Sequence, residues 1–256
     1  MCTIFSIIFK IILITLFICS TSAFADDFNK FYIEASVGSP IKEISVGNST
    51  VGAPGYLVAC CSTGTMGDVN TASSKETIGL KLGYRISETW RLDFSYYKLN
   101  YGTTTWGTDF GDVGNWPVYR SANATPFRAH LSSNAIFASA YYSNNNTFLP
   151  KKFSPYLGVG LGSSRNEFKD AIEGAGNGYN TPWSKTKTSF AYKFDLGLEY
   201  EINKNIGINV SAIFIDVGKF SSDNYRGRNG SKEAISPYTF YSDLAPIYNL
   251  GISYKF

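Results

Sequence analysis

The chain has 256 residues and a formal net charge of +3, from 23 basic and 20 acidic side chains with a single histidine. That length fits one domain, and so nearly balanced a charge excludes the strongly basic face that nucleic-acid binding requires. Aromatic residues make up 16% of the chain while the mean hydropathy lies near zero, so a membrane-facing surface would have to be carried by alternate residues of strands and not by continuous apolar helices.

Met1 to Ala25 reads as a removable secretory signal. Lys10 precedes the apolar run Ile11 to Ile18, and Ala23-Phe24-Ala25 supplies a small-residue cleavage site before Asp26-Asp27. The run is short of the roughly 20 residues of a spanning helix, and Ile18 is bulky where a lipoprotein signal wants a small residue before Cys19. Residues 26–256 would then form the mature domain with a charge of +2, since Lys10 leaves with the signal. Its only cysteines are the adjacent Cys60-Cys61, either a strained vicinal disulfide or two thiols; no CxxC spacing or histidine cluster accompanies them, so neither a metal nor another cofactor is expected.

The first predicted strand sets Phe31, Ile33, Ala35 and Val37 on one face and Tyr32, Glu34, Ser36 and Gly38 on the other. A polar loop from Ser39 to Ser74 follows. Strand two alternates Ile78, Leu80, Leu82, Tyr84 and Ile86 with Gly79, Lys81, Gly83 and Arg85, and turns at Ser87-Glu88-Thr89. Strand three alternates Trp90, Leu92, Phe94 and Tyr96 with Arg91, Asp93, Ser95 and Tyr97 before a long loop from about Gly102 to Phe127. In strand four, Leu131, Ser133, Ala135, Phe137, Ser139 and Tyr141 alternate with His130, Ser132, Asn134, Ile136 and Ala138. Strand five sets Leu157, Val159 and Leu161 against Tyr156, Gly158, Gly160 and Gly162, and a third long loop covers about Ser164 to Lys187.

The period of two is longest from Ser189 to Phe214. Phe190, Tyr192, Phe194, Leu196, Leu198, Tyr200 and Ile202 alternate with Ala191, Lys193, Asp195, Gly197, Glu199 and Glu201; Asn203-Lys204-Asn205 turns the chain; Ile206, Ile208, Val210, Ala212 and Phe214 resume it. A fourth long loop, about Gly218 to Pro246, leads to a last strand alternating Tyr248, Leu250, Ile252, Tyr254 and Phe256 with Asn249, Gly251, Ser253 and Lys255. Eight strands joined alternately by long and short connections predict an all-β fold, an eight-stranded antiparallel up-and-down transmembrane β-barrel with four long extracellular loops. Closure is required, because an open sheet edge in lipid would leave backbone groups unpaired.

At eight strands the interior has room for side chains and little else. The inward set Glu34, Lys81, Arg85, Arg91, Asp93, Lys193, Asp195, Glu199, Glu201 and Lys255 carries both signs, so a mutually paired polar lumen network and a plugged lumen are expected. In the fourth loop Tyr225, Arg226, Arg228 and Lys232 form a basic patch suited to anionic glycans or lipopolysaccharide phosphates. Trp106, Trp116 and Trp183 are candidate contact anchors or headgroup-level residues. His130-x-Ser132 resembles the arrangement in lipid A deacylases, but no matching acid is evident downstream, so a lumen or rim histidine is the expected role. Gly158-x-Gly160-x-Gly162 makes room for large interior neighbours.

Pro155 to Gly162, Phe190-Ala191-Tyr192, the turn before Ile206 and Asp216-Val217-Gly218 carry a resemblance to opacity-type outer-membrane proteins, related to the OmpA-like membrane domain. It covers essentially residues 26–256 and is strongest from Phe153 to Phe220. The resemblance implies an integral protein of the bacterial outer membrane, in a group that includes surface antigens and proposed adhesins of intracellular bacteria. It also implies contact with outer-membrane lipid and lipopolysaccharide, recognition of the terminal Phe256 by the barrel assembly machinery, and loops that meet a host-cell surface protein or glycan. The expected function is a non-enzymatic surface adhesin or host-interaction protein; the alternatives are a small pore or structural envelope protein, and a lipid A-modifying enzyme.

Overall fold

The computed structural model describes residues 30–40, 44–46, 50–51, 64–72, 76–109, 127–143, 150, 152–175, 178–228, 231–234, 237–242, 244 and 246–256. Residues 1–25, expected as a signal, and Cys60-Cys61 lie outside them. Eight strands form the wall: β1 (Phe31–Pro40), β2 (Thr77–Arg85), β3 (Trp90–Asp109), β4 (Phe127–Ser143), β5 (Phe153–Ala175), β6 (Lys185–Glu201), β7 (Ile206–Asp216) and β8 (Pro246–Lys255). Each pairs antiparallel with its neighbours in sequence, and β8 closes the cycle on β1 through nine residue pairs from Tyr32–Lys255 to Pro40–Ile247.

Register fixes the shape. Partner by partner, Thr188 leads through Arg165, Asn134, Lys98, Ile78, Val37, Leu250 and Val210 to Leu198, ten residues farther along the starting strand. Ten residues of stagger over eight strands correspond to a tilt of about 40°. The alternation is the predicted one: Leu161, Phe190 and Ile252 are 64%, 66% and 62% exposed, while Lys81, Lys193 and Glu199 on the opposite face are buried. An outward surface this apolar is stable only against hydrocarbon. Its lower rim is a girdle of aromatic pairs, Phe31–Tyr84 (4.8 Å), Trp90–Tyr142 (5.3 Å), Phe153–Tyr200 (4.8 Å) and Tyr254–Phe256 (5.2 Å). From there to the upper apolar rim the band is roughly 15–25 Å tall at this tilt.

The short connections lie at the girdle end. At 202–205 the Asn203 Oδ1 accepts the backbone N–H groups of Asn205 (2.9 Å) and Ile206 (2.8 Å), an Asx turn that pins the β6–β7 hairpin.

At the other end the strands run farther than their apolar alternation. Gly102 to Asp109, expected as loop, continues β3 beyond a bulge between Asn100 and Gly102, where Gly102 takes a φ of 75°; a side chain there would be strained. Trp106 therefore sits on a strand. The expected third loop is mostly strand as well: β5 continues to Ala175, Gly178–Pro182 folds back on it, and β6 begins at Lys185. The first loop contributes Gly64–Ala72, which pairs with β3. The fourth contributes four short strands, Lys219–Ser221, Tyr225–Arg228, Ser231–Ala234 and Thr239–Ser242.

Candidate functional site

The inner half of the lumen is a charge network. Glu199 is its hub: its carboxylate takes Arg91 (2.7 Å), Arg85 (3.2 Å) and Lys255 (2.8 Å), and Lys255 also reaches Glu201 at 2.5 Å. One layer up, Lys81 pairs with Glu34 at 2.9 Å, and Asn209 donates to the other Glu34 oxygen at 2.8 Å. Lys193 donates to Asp195 (2.6 Å) and to the Tyr141 hydroxyl (2.6 Å), which itself donates to Asp195. The Arg91 guanidinium also stands 4.4 Å from the ring centre of Tyr156 and 4.9 Å from that of Tyr141. Asp93 is buried in the same region. All ten charges singled out in the sequence thus line one lumen, eight of them buried, with Arg85 and Glu201 part-exposed at its inner mouth.

The expected polar filling does not extend to the outer half. There Tyr97, Leu99, Leu131, Phe137, Ile213 and Ile215 turn inward and form an apolar core. Strand four is the main departure, since Leu131, Phe137 and Tyr141 point into the barrel and leave Ile136 and Tyr142 on the outer wall. The fourth loop completes this core from above. Phe220 packs edge-on to Tyr101 (5.3 Å between ring centres) and Phe240 stacks on Phe168 (6.2 Å). The strands Lys219–Ser221, Thr239–Ser242 and Ile44–Val46 form a small sheet across the mouth. Polar clamps hold it: Asn166 Nδ2 donates to the carbonyls of Val217 (2.7 Å) and Lys219 (3.1 Å), and Ser164 Oγ to that of Val217 (2.6 Å). Sequence reading missed Phe220, Tyr238 and Phe240. The available signal was bulky aromatics in an otherwise polar loop.

Above the mouth, loops three and four build a second sheet. Gly178–Pro182 pairs with the end of β5 and with Tyr225–Arg228, which pairs with Ser231–Ala234. This brings together three of the predicted contact residues. Trp183 and Tyr225 lie 5.8 Å apart by ring centre, and the Lys232 ammonium sits 3.7 Å from the Tyr225 ring and 4.9 Å from the Trp183 ring. Backbone bonds fix them, with the Trp183 N–H donating to Tyr225 O at 3.0 Å and the Asp223 N–H to Trp183 O at 3.1 Å. Both rings remain exposed, at 41% and 36%. The backbone of Arg226 and Arg228 runs along the same sheet, and Trp116 lies outside the described residues.

His130 is not a lumen residue; with Ser132 and Asn134 it faces the outer wall, above the apolar band. The register supplies the acid that the sequence did not reveal: Glu167 stands opposite Ser132, whose Oγ donates to it at 3.4 Å, and Lys169 donates to the same carboxylate oxygen at 2.5 Å. Lys169 holds the Glu167 carboxyl below the usual carboxylate range. Among the described residues no hydrogen bond joins the imidazole to Ser132 or Glu167, so neither the base–nucleophile contact nor the acid–base contact of a triad is formed.

Several proteins of known sequence or structure are similar to this chain. A segment of 120 residues is 28% identical to Outer membrane protein PagN of Salmonella typhimurium; it covers 46% of this chain and 47% of that one, about half the length of the relative. The outer membrane protein OprG of Pseudomonas aeruginosa superimposes with a TM-score of 0.52 at 15% identity over 89% of this chain and 96% of that chain, a likeness of fold alone. Neisserial surface protein A gives a TM-score of 0.43 at 14% identity, over 88% and 97% of the two chains. The sequence profile of the outer membrane protein beta-barrel domain matches residues 11–256. With the closed eight-stranded cycle, apolar band and aromatic girdle already described, that match places the chain in the outer membrane protein beta-barrel family, as an integral protein of the bacterial outer membrane.

Proposed function

We propose that the chain acts at the cell surface as an adhesin or host-interaction protein, through the sheet built by its third and fourth loops. The observation that carries this reading is the Trp183–Tyr225–Lys232 cluster. Two exposed aromatic side chains and an ammonium are held on a hydrogen-bonded sheet, so they lose little freedom when a partner docks. A saccharide suits such a platform: its C–H faces stack on the rings, and an acidic substituent meets the ammonium. The paired charges and the capped mouth below argue for the loops and against the lumen as the working surface.

The test is binding of host cells and of a panel of neutral and sulfated glycans by bacteria displaying the intact chain, compared with Trp183→Ala and Lys232→Ala. Binding is expected to fall at least several-fold in both variants while surface display is unchanged. Binding that survives both substitutions would move the contact elsewhere. Stepwise current from the purified protein in planar bilayers would favour the pore, and lipid A altered by the parent but not by His130→Ala would favour the enzyme.

A further inference from the structure

The outer wall carries a second feature, independent of the loop sheet. The apolar band ends on β3 at Tyr96, on β4 at Ile136 and on β6 at Phe190, all outward-facing. The next outward residues on β3 and β4 are Lys98 and Asn134, and Arg165 lies in register with them, Lys98 opposite Asn134 and Asn134 opposite Arg165. Strand spacing puts the two cationic residues about 10 Å apart at their Cα atoms, well within joint reach of one headgroup. With the barrel tilt, the row climbs from just above the band into the roughly 5–8 Å layer where phosphates of the outer leaflet lie.

The side chains are disposed for an anion. Asn134 Oδ1 accepts the Tyr96 hydroxyl at 2.7 Å, and among the described residues its Nδ2 has no acceptor. Lys98 and Arg165 are exposed, and among the described residues no ion pair joins either to an acid. Glu167, two residues beyond Arg165 on the same face, is taken by Lys169 and Ser132, and Arg165 acts on it only through its field. Lys98 and Asn134 stand directly above the apolar band and Arg165 one outward position higher, beyond Ser163; two cations outside any ion pair, flanking an amide donor, match a phosphate whose acyl chains lie along the band.

We infer that Lys98, Asn134 and Arg165 form a binding site on the outer wall for the phosphate-bearing headgroup of an outer-leaflet lipid. The site is specific to lipid: its apolar floor, Tyr96, Ile136 and Leu161, holds chains while the row above holds charge.

The test titrates the refolded full chain in a neutral detergent with diphosphoryl lipid A, reading bound lipid by native mass spectrometry. Lys98→Ala/Arg165→Ala should weaken binding at least about tenfold, and Lys98→Arg/Arg165→Lys should retain it within about threefold. Lys152→Ala/Lys204→Ala, at the opposite rim, should leave it unchanged. Folding of each variant is checked by heat-dependent electrophoretic migration. Dephosphorylated lipid should bind as weakly as the alanine variant binds the parent lipid. Equal binding of lipid by parent and alanine variant, or of lipid with and without phosphate, overturns the inference. So does equally tight binding of the deacylated headgroup or of inorganic phosphate, which would make the row a site for free anions.

Discussion

The two halves of the interior solve the same problem differently. Both must fill the interior of an eight-stranded barrel. The inner half does it with ionised groups, Glu199 gathering Arg85, Arg91 and Lys255, and Asp195 gathering Lys193. The outer half does it with Phe137, Leu131, Ile213 and an aromatic cap that the fourth loop lowers from above. The contrast follows from the surroundings. In the inner half the greasy positions of every strand are committed to lipid, and the inward ones are occupied by groups that lipid would reject, so pairing is the remaining way to lower their cost. In the outer half the wall passes from hydrocarbon into water, and apolar groups above the band are hidden from water by turning inward, as in a soluble sandwich.

Loss of the hub should hurt most. Glu199→Gln leaves the buried Arg91 and Lys255 without their shared counter-charge, a change expected to cost about 3–5 kcal/mol. It is measurable as a lowered urea midpoint for the chain refolded into phosphatidylcholine vesicles, followed by tryptophan fluorescence. A second substitution, Arg91→Met, should restore part of the loss, because an unpaired charge is worse than none. No recovery would mean that Glu199 contributes through packing.

The matching test of the outer half is Phe240→Ala. Removing a fully buried ring costs about 3–5 kcal/mol of local stability, but the damage should remain in the cap. Limited proteolysis is expected to cut within residues 219–242 far faster than in the parent, while the urea midpoint of the barrel moves little. Joint unfolding of cap and wall would show that the two halves form one cooperative unit.

A smaller effect comes from the glycines that the inner half needs. A β-carbon at Gly158 would stand 2.3 Å from the Tyr141 ring, and one at Gly197 2.3 Å from the Tyr156 ring. Gly158→Ala must push Tyr141 away from Lys193 and Asp195, at about 1–3 kcal/mol. The same vesicle unfolding assay reads this, and a near-zero shift would mean that the tyrosine swings aside freely.

What could be read from the sequence depended on where hydrocarbon enforces the pattern. Between Trp90 and Tyr96, or Tyr248 and Phe256, lipid on one side and lumen on the other make alternate residues chemically opposite, so strand, face and order were legible. Above the band that contrast vanishes. Ser163-Ser164-Arg165-Asn166-Glu167 continues β5 with polar residues on both faces, which reads as loop because water now touches the outer side. The cap was illegible for another reason: Phe220 and Phe240 find Tyr101 and Phe168 only after the chain has closed. Trp183, Tyr225 and Lys232 were each visible as residues, but their meeting depends on Gly178–Pro182 pairing with Tyr225–Arg228. The lumen charges needed only parity, whereas the Ser132–Glu167 contact needed register as well.

That last contact gives the smallest test, on the outer wall just beyond the hydrocarbon. Lys169 keeps the Glu167 carboxyl more acidic in the folded chain than in the unfolded one. A depressed carboxyl stabilises the fold in full above its unfolded value of about 4.3, and the contribution fades as pH falls through the lower, folded value. Because Lys169 is 47% exposed, water screens the pair, and it is worth only about 0.3–1 kcal/mol. Glu167→Gln should therefore lower the urea midpoint slightly at pH 7, and the gap to the parent should close as the buffer is taken below about pH 4. The inner network, whose hub is buried, sets the scale of the comparison at pH 7, where Glu199→Gln should be far more severe. A gap for Glu167→Gln that persists undiminished into acid would mean that the substitution acts by disturbing the hydrogen bond from Ser132, and that the ion pair contributes nothing.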